Sequence, residues 1–339
     1  MNYQLFRNIA QKTYRLTASA KKLFSFLLKA SIVVLAFVFI YHQYLEKGDK
    51  LKQFETLITA IDHTEVAIVM SVVVILMLVN WSLESFKWQY LTRKLVKISA
   101  WESIEGVFCG LTWAVFTPNR IGEYAGRVLF LPNRKRIHGV FAMAVGAFAQ
   151  NTVTNVVGLG ALMWFLYTFI HLNTWLYIGI VVASVLFSIF ICIFYFHIKW
   201  LVNILDHIPY IKKYHRFFDI MQRYKKQELI NIMFFCITRY AVFSFQYYLI
   251  IHLLIPEIPA AEIALLISVF FFIQSALPSL DLLDIGVRGT AATLLFKHVT
   301  DQSVAVIVTV SLIWFINLII PAILGSLFVF NLKFFDRNS

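Results

Sequence analysis

Two short apolar runs each end at a proline, and a cluster of charged side chains follows each proline. The first run ends at Pro118 and the second at Pro278. The charged residues that follow are Arg120, Glu123, Arg127, Asp281, Asp284 and Arg288. Arginine guanidinium groups bind phosphate through paired hydrogen bonds, while carboxylates orient arginines or bind an ammonium group. These six residues are our predicted substrate-binding site, and a lipid headgroup that carries phosphate and amine would complement them.

The first cluster is expected to lie on one face of a helix. Thr117 before Pro118 is typical of a helix start, because proline at the first helical position loses no needed hydrogen bond. A helix from this point places Arg120, Glu123 and Arg127 at i, i+3 and i+7, with Glu123 within reach of both arginines. A second interpretation is open for each cluster: the first is an interfacial helix with solvated charges, and the second is a solvated external loop.

The apolar runs before the two prolines are too short to cross a membrane. Each contains roughly 15 apolar residues, whereas a transmembrane helix needs about 20. Because unpaired backbone groups cannot face lipid, a short helix that breaks inside the membrane must be enclosed by other helices or line a wet cavity. We therefore predict re-entrant helical hairpins at 103–127 and 262–289.

The composition is that of an integral membrane protein. The 339 residues are 60% hydrophobic and 14% charged, with a mean hydropathy of +0.75, which is too apolar for a soluble core. Segments long enough to span lie at 26–45, 65–83, 139–170, 175–198, 229–255 and 302–331. The predicted fold is all-α: a polytopic membrane protein with about six full spans plus two re-entrant helical hairpins.

Basic residues predict how the chain is oriented. Lys and Arg are concentrated in the N-terminal segment and in the stretches 87–97, 120–136 and 199–226, and are missing from 171–174 and 256–262. Since cytoplasmic loops carry the excess of positive charge, both termini are predicted to be cytoplasmic.

With this orientation, the order of spans and hairpins in the first half of the chain recurs in the second half. Residues 1–24 form a basic cytoplasmic N-terminus, 25–331 form one transmembrane domain, and 332–339 form a cytoplasmic tail. Within the domain, 25–170 and 175–331 both read span, span, hairpin, span, and the second set starts on the opposite side. That order is an inverted repeat.

Several polar residues lie inside the long apolar segments. Arg239 is a cation that needs a partner, and Glu84 or Glu123 could serve. The third long segment carries a polar group at its middle, made of Gln150, Asn151, Thr152, Thr154 and Asn155. Unpaired polar groups are costly in a membrane, so these side chains are expected to face other helices or the cavity.

Other classes of function find little support. The nine histidines and three cysteines show no metal-ligand spacing, and isolated carboxylates without a paired nucleophile are weak evidence for an intramembrane enzyme. We predict no enzymatic activity, cofactor, metal site or nucleic-acid partner. Membrane orientation explains the formal net charge of +12. Loop 199–228 interleaves apolar and basic residues, which suits a helix lying on an anionic lipid surface.

The segments TPNRIGEYAGR, at 117–127, and ALPSLDLLDIGVRG, at 276–289, resemble two motifs of the lysylphosphatidylglycerol synthase transmembrane-region family, also called flippase-like membrane proteins. The resemblance covers roughly 25–331. Asn119 replaces the usual glycine of the first motif, and Gly289 replaces the usual acid of the second. The matching residues are Pro118, Arg120, Gly122 and Glu123 in the first motif and Leu277, Pro278, Gly286 and Arg288 in the second.

The resemblance implies a lipid-translocating domain, fused in some members to a cytoplasmic aminoacyl-transferase. Because the chain ends at Ser339, soon after the last apolar segment, we expect that transferase to be absent. Our leading hypothesis is a flippase-like transporter of a phosphate-bearing lipid, aminoacylated and isoprenoid-linked lipids included, in the bacterial inner membrane. Arg120, Arg127 and Arg288 would hold the phosphate. The alternative is a non-transporting scaffold or accessory subunit that binds a membrane enzyme of lipid or cell-envelope biosynthesis.

Overall fold

The computed structural model describes residues 59, 61–115, 117, 120–212, 215–276 and 285–328. Within these residues the chain is helical and has no strand, which confirms the predicted all-α class. The predicted first span at 26–45, the N-terminus 1–24 and the tail 332–339 lie outside the described residues, as do Asp281 and Asp284.

Five helical segments among the described residues are long and apolar enough to cross a membrane. They are His63–Thr92, Asn133–Ile170, Thr174–Phe196, Lys226–Leu254 and Ser303–Phe328. Each coincides with one of the segments predicted at 65–83, 139–170, 175–198, 229–255 and 302–331. The chain is therefore an integral membrane protein by the length and composition of its helices.

The helices are numbered in chain order. They are α1 (His63–Thr92), α2 (Ala100–Ala114), α3 (Ile121–Val128), α4 (Arg136–Phe165), α5 (Thr174–Phe196), α6 (Ile198–His207), α7 (Pro209–Lys212), α8 (His215–Phe218), α9 (Lys226–Leu254), α10 (Ala260–Ala276), α11 (Ile285–Phe296), α12 (Ser303–Trp314) and α13 (Ile320–Phe328). Short 3₁₀ turns lie at Asn133–Lys135 and Asp219–Arg223, and π-helical turns lie at Leu166–Ile170 and Phe315–Ile319.

Helices α1 and α9 form an antiparallel pair at the centre of the described structure. Their polar contacts run in opposite sequence directions: Asn231 Nδ2 donates to Tyr90 Oη at 2.9 Å, and Gln246 Nε2 donates to the carbonyl of Val73 at 2.9 Å. The end of α1 and the start of α9 therefore lie side by side. Polar contacts between α1 and α9 therefore join residues that are far apart in the sequence.

Two pairs of short helices lie between the long ones. The first pair is α2 with α3, and the second pair is α10 with α11. Helix α2 begins at a capping box in which the Ser99 hydroxyl accepts from the Glu102 N–H and the Glu102 carboxylate accepts from the Ser99 N–H. The first pair packs at very short range, because a Cβ added to Gly126 would lie 2.5 Å from the Cα of Gly110.

Each pair also packs against the last long helix of the other half of the chain. Helix α2 contacts α13, where a Cβ on Gly325 would lie 1.9 Å from the carbonyl oxygen of Phe108. Helix α10 contacts α4, where a Cβ on Gly158 would lie 2.4 Å from the Cβ of Phe272. Glycine is needed at both crossings because the neighbouring helix occupies the space of a side chain.

The last long segment is interrupted at Phe315–Ile319, one turn before Pro321. Proline has no N–H, so the carbonyl of Asn317 lacks its usual helical donor. The indole Nε1–H of Trp81 in α1 donates to that carbonyl at 3.2 Å. The last segment is thus distorted next to Pro321, and the hydrogen bond from Trp81 connects α1 to it.

Helix α5 lies at the edge of the described structure, where it packs along α4 and meets α6. Of its residues only Ser184 and Tyr195 are buried. The following α6 is amphipathic: Ile198 and Val202 are buried, while Trp200 and Ile204 are exposed. That pattern agrees with the predicted helix on a lipid surface, and the anionic lipid partner stays a prediction.

Candidate functional site

A cavity of about 500 Å³ lies among α1, α3, α4, α9, α10, α11 and the last long segment. Four of the six predicted site residues line it: Arg120, Glu123, Arg127 and Arg288. The first three come from the first pair of short helices and Arg288 comes from the second. The other two predicted residues, Asp281 and Asp284, lie outside the described residues. The first cluster and Arg288 of the second are therefore brought to one cavity from far apart in the chain.

Glu84, from α1, is the centre of the charges in this cavity. Its carboxylate accepts from Arg127 Nη1 at 2.5 Å, lies 2.7 Å from Lys87 Nζ, and also accepts from Arg239 Nη1. Glu84 is only 4% exposed. A buried carboxylate is costly unless cations and hydrogen bonds compensate it, and here three cations do so.

Arg239, from α9, is paired with a carboxylate, as was predicted for a cation in an apolar segment. Of the two predicted partners it is Glu84 that pairs with it. Arg239 Nε donates to Asn80 Oδ1 at 3.0 Å, and the guanidinium carbon lies 5.5 Å from the centre of the Trp81 ring. Three side chains from two adjacent turns of α1 therefore contact this one arginine.

Glu123 extends the network to the tip of the first pair. Its Oε2 lies 3.1 Å from Arg120 Nε, and its Oε1 accepts from Arg127 Nη2. The prediction that Glu123 reaches both arginines is confirmed. Arg127 joins the two carboxylates and is 2% exposed, so the interpretation of the first cluster as solvated charges does not hold for Arg127.

Pro118, where the helix start was predicted, lies outside the described residues. Helix α3 begins at Ile121, because Arg120 has a left-handed backbone, with φ 56° and ψ 27°, that a helix cannot include. Thr117 still caps the helix, since its hydroxyl accepts from the Gly122 N–H at 2.7 Å. A left-handed arginine is strained by about 1 kcal/mol or more, and such strain is concentrated at functional sites.

The charged lining of the cavity is mainly cationic. Among its described lining residues the cations are Lys87, Arg120, Arg127, Arg239 and Arg288, and the carboxylates are Glu84 and Glu123. Both carboxylates already contact cations, as described above. Arginine and lysine side chains bind anionic groups through charge-assisted hydrogen bonds, so the described lining favours an anionic ligand.

Uncharged polar side chains line another part of the cavity. Gln150, Asn151 and Thr154 from α4 do so, as expected for the polar group in the third long segment, together with Gln274 and Asn317. Three of their atoms are buried without a hydrogen-bond partner in the described structure: Gln150 Oε1, Gln274 Nε2 and Asn317 Oδ1. Thr152 and Asn155 instead bond to backbone carbonyls of their own helix.

Three charged lining residues were missing from the predicted site: Glu84, Lys87 and Arg239. Glu84 and Arg239 were recognised only as polar residues in apolar segments. A charged residue inside a transmembrane segment is itself a signal of a functional site, and that signal could have added both. Lys87 is the first residue of the basic stretch 87–97, and the charge of that stretch predicts membrane orientation rather than a binding site.

Comparison with known proteins gives one family. The family model described as "Lysylphosphatidylglycerol synthase TM region" matches residues 23–325. Neither the curated proteins nor the solved structures that were searched gave a match. The match includes every described residue that lines the cavity.

Proposed function

Because the chain belongs to the lysylphosphatidylglycerol synthase TM region family, whose description names a lipid, we propose that this integral membrane protein is a flippase-like transporter of a phosphate-bearing lipid. The observation that carries the proposal is the cavity between the two pairs of short helices, which has five cationic side chains among its described lining residues. The headgroup would pass through this cavity while the acyl or isoprenoid tails stay in the bilayer. The proposal assigns no chemical step to the chain.

The depth of the charges supports this function. Arg239 lies thirteen residues after Lys226, the first residue of α9. At about 1.5 Å per residue this is roughly 20 Å along a helix that crosses a hydrocarbon core of about 30 Å. Charged groups so deep in a membrane are expensive, and they typically mark the path of a polar substrate.

We further propose that the two pairs of short helices are re-entrant hairpins of an inverted repeat. Helix α2 has 15 residues and α10 has 17, both shorter than the roughly 20 that a span needs. The exchange of packing supports the repeat, since α2 contacts the second half and α10 contacts the first. Alternate exposure of the two hairpins to the two sides of the membrane would then move the headgroup.

The proposed orientation can be tested with single cysteines at two exposed positions, Lys135 and Asn173, at opposite ends of Asn133–Ile170. The three native cysteines are first replaced. A membrane-impermeant maleimide applied to intact cells is expected to label Asn173→Cys, and to label Lys135→Cys only after the membrane is opened. Equal labelling of both positions in intact cells would contradict the proposed orientation.

Translocation itself is best tested with variants of Arg120 and Arg288. The Arg120 side chain is 37% exposed and contacts Glu123, so its change should be tolerated, whereas Arg127 is fully enclosed between two carboxylates. In proteoliposomes, Arg120→Gln and Arg288→Gln are each expected to slow the movement of an anionic phospholipid at least tenfold. A hydrogen bond to a charged group contributes about 1.5 to 3 kcal/mol, which corresponds to this factor.

The matched control is Arg134→Gln, at an exposed arginine in the 3₁₀ turn before α4, which should leave the rate unchanged. Equal rates for wild type and both cavity variants would contradict the proposed headgroup path. If no phospholipid moves faster than in empty liposomes, although the protein is folded and a membrane potential is imposed, the scaffold alternative is favoured.

A further inference from the structure

The two carboxylates among the described lining residues, Glu84 and Glu123, offer no place for an amine. Glu84 Oε1 accepts from Arg127, and Glu84 Oε2 contacts Lys87 and Arg239. Glu123 Oε2 lies beside Arg120, and Glu123 Oε1 accepts from Arg127. All four carboxylate oxygens are therefore engaged by cations. An ammonium group entering the cavity would displace one of these contacts and lie among like charges, which is unfavourable.

Two amide oxygens of the cavity, on Asn317 and Gln150, nevertheless require hydrogen-bond donors. Asn317 is 6% exposed, and its Nδ2 donates to the carbonyl of Ile313 at 3.2 Å, which fixes the orientation of the amide. Its Oδ1 is an acceptor with no hydrogen-bond partner in the described structure, and the same holds for Gln150 Oε1. An ionised phosphodiester presents only acceptor oxygens, so phosphate alone cannot satisfy these two atoms.

A neutral hydroxyl group satisfies both conditions, because it donates a hydrogen bond and carries no positive charge. We infer that the ligand of this cavity is an amine-free, hydroxyl-bearing phosphodiester headgroup, a phosphoglycerol or other phosphopolyol, held by the arginines through its phosphate and by Asn317 and Gln150 through its hydroxyls. The inference rests on the proposed function, which supplies the lipid. It narrows that function by excluding aminoacylated and ethanolamine headgroups.

Three phospholipids with identical acyl chains distinguish a requirement for hydroxyls from a requirement for negative charge alone and from binding of an amine. Phosphatidylglycerol has the phosphodiester and the hydroxyls, phosphatidylmethanol has the same charge without hydroxyls, and phosphatidylethanolamine has the amine. Binding to the full chain in detergent is measured by native mass spectrometry. Phosphatidylglycerol is expected to bind about tenfold more tightly than phosphatidylmethanol, since hydrogen bonds to buried, otherwise unsatisfied acceptors are gained. Phosphatidylethanolamine is expected to bind most weakly.

The variant Asn317→Leu tests the role assigned to the amide. It removes both polar atoms of the side chain together, so no unsatisfied group is left and the fold should be retained. Its affinity for phosphatidylglycerol is expected to fall about tenfold, to that of phosphatidylmethanol, whose own binding is unchanged. The control is Asn155→Leu, at an asparagine of α4 that bonds to its own helix and does not line the cavity, and it should keep the wild-type preference.

Equal binding of phosphatidylglycerol and phosphatidylmethanol to wild type would overturn the inference, as would tight binding of phosphatidylethanolamine or no binding of any of the three. Competition by free sn-glycerol 3-phosphate at the concentration at which phosphatidylglycerol binds would assign the site to a soluble phosphate instead of a lipid. Translocation is measured separately in vesicles. If the lipids bind in the predicted order but are not translocated, the headgroup class is supported and transport is refuted. If a lipid is translocated but the predicted binding order is not found, transport is supported and the headgroup class is refuted.

Discussion

Glu84→Gln is expected to destabilise the folded protein by about 3 to 5 kcal/mol, the cost of removing one partner from a buried ion pair. The reason is the number of cations that this carboxylate compensates: Lys87, Arg127 and Arg239 all contact it, and it is 4% exposed. A neutral amide leaves these cations enclosed, with Glu123 as the remaining carboxylate among the described lining residues. The measurement is the midpoint of thermal unfolding in detergent, followed by tryptophan fluorescence.

The matched control is Glu65→Gln, in the first turn of the same helix, where the side chain is exposed. It should change stability by less than about 1 kcal/mol, the usual contribution of an exposed acid at a helix start. The double variant Glu84→Gln with Arg239→Gln should recover part of the loss, because one enclosed cation is removed with the acid. Unfolding of Glu84→Gln at the wild-type temperature would contradict the role assigned to this network.

Gly126→Leu is expected to separate α2 from α3 and to destabilise the protein by about 3 kcal/mol or more. A Cβ at this position would lie 2.5 Å from the Cα and 2.7 Å from the amide nitrogen of Gly110. Both atoms belong to backbone, so no side-chain rotation can relieve the clash. Because Arg127 is the next residue, its contacts with both carboxylates should be disturbed as well. Thermal unfolding and the lipid-translocation rate measure the two effects.

Gly160→Leu provides the comparison, since it is also a glycine inside a long helix but a Cβ there would meet nothing within 4 Å. Its stability should stay within about 0.5 kcal/mol of wild type, as for surface substitutions in general. Similar behaviour of the two leucine variants would show that the close approach of α2 and α3 is not needed.

The long helices could be predicted from the sequence because the signal is local. A stretch of about 20 apolar residues has few structural alternatives, and each predicted span within the described residues corresponds to a long apolar helix. The family resemblance is confirmed by the match over residues 23–325. The start of α3 at Ile121 could not be predicted, since the left-handed backbone at Arg120 depends on the packing of the turn around it and not on a preference of arginine.

Part of the candidate site could also be predicted from the sequence, because some of its charged residues are close together in the chain. Arg120, Glu123 and Arg127 are neighbours in sequence, so helical spacing was enough to predict their ion pairs. Glu84 and Arg239 are separated by 155 positions, and their contact exists only because α1 and α9 pack antiparallel with these turns opposed. Charge alone suggested a partner for Arg239 and left two candidates. Choosing between them required the packing of the helices.

The exposed surface of helix α5 should let its sequence change more freely during evolution than the sequences of the buried helices. Only Ser184 and Tyr195 of its residues are buried, so exchanges among Leu, Ile, Val and Phe on the rest of the helix replace one apolar surface in lipid by another. Such exchanges are nearly neutral and should accumulate freely among descendants of a common ancestor. The crossing of α2 with α3 admits no side chain, so drift should be slowest there and fastest along α5.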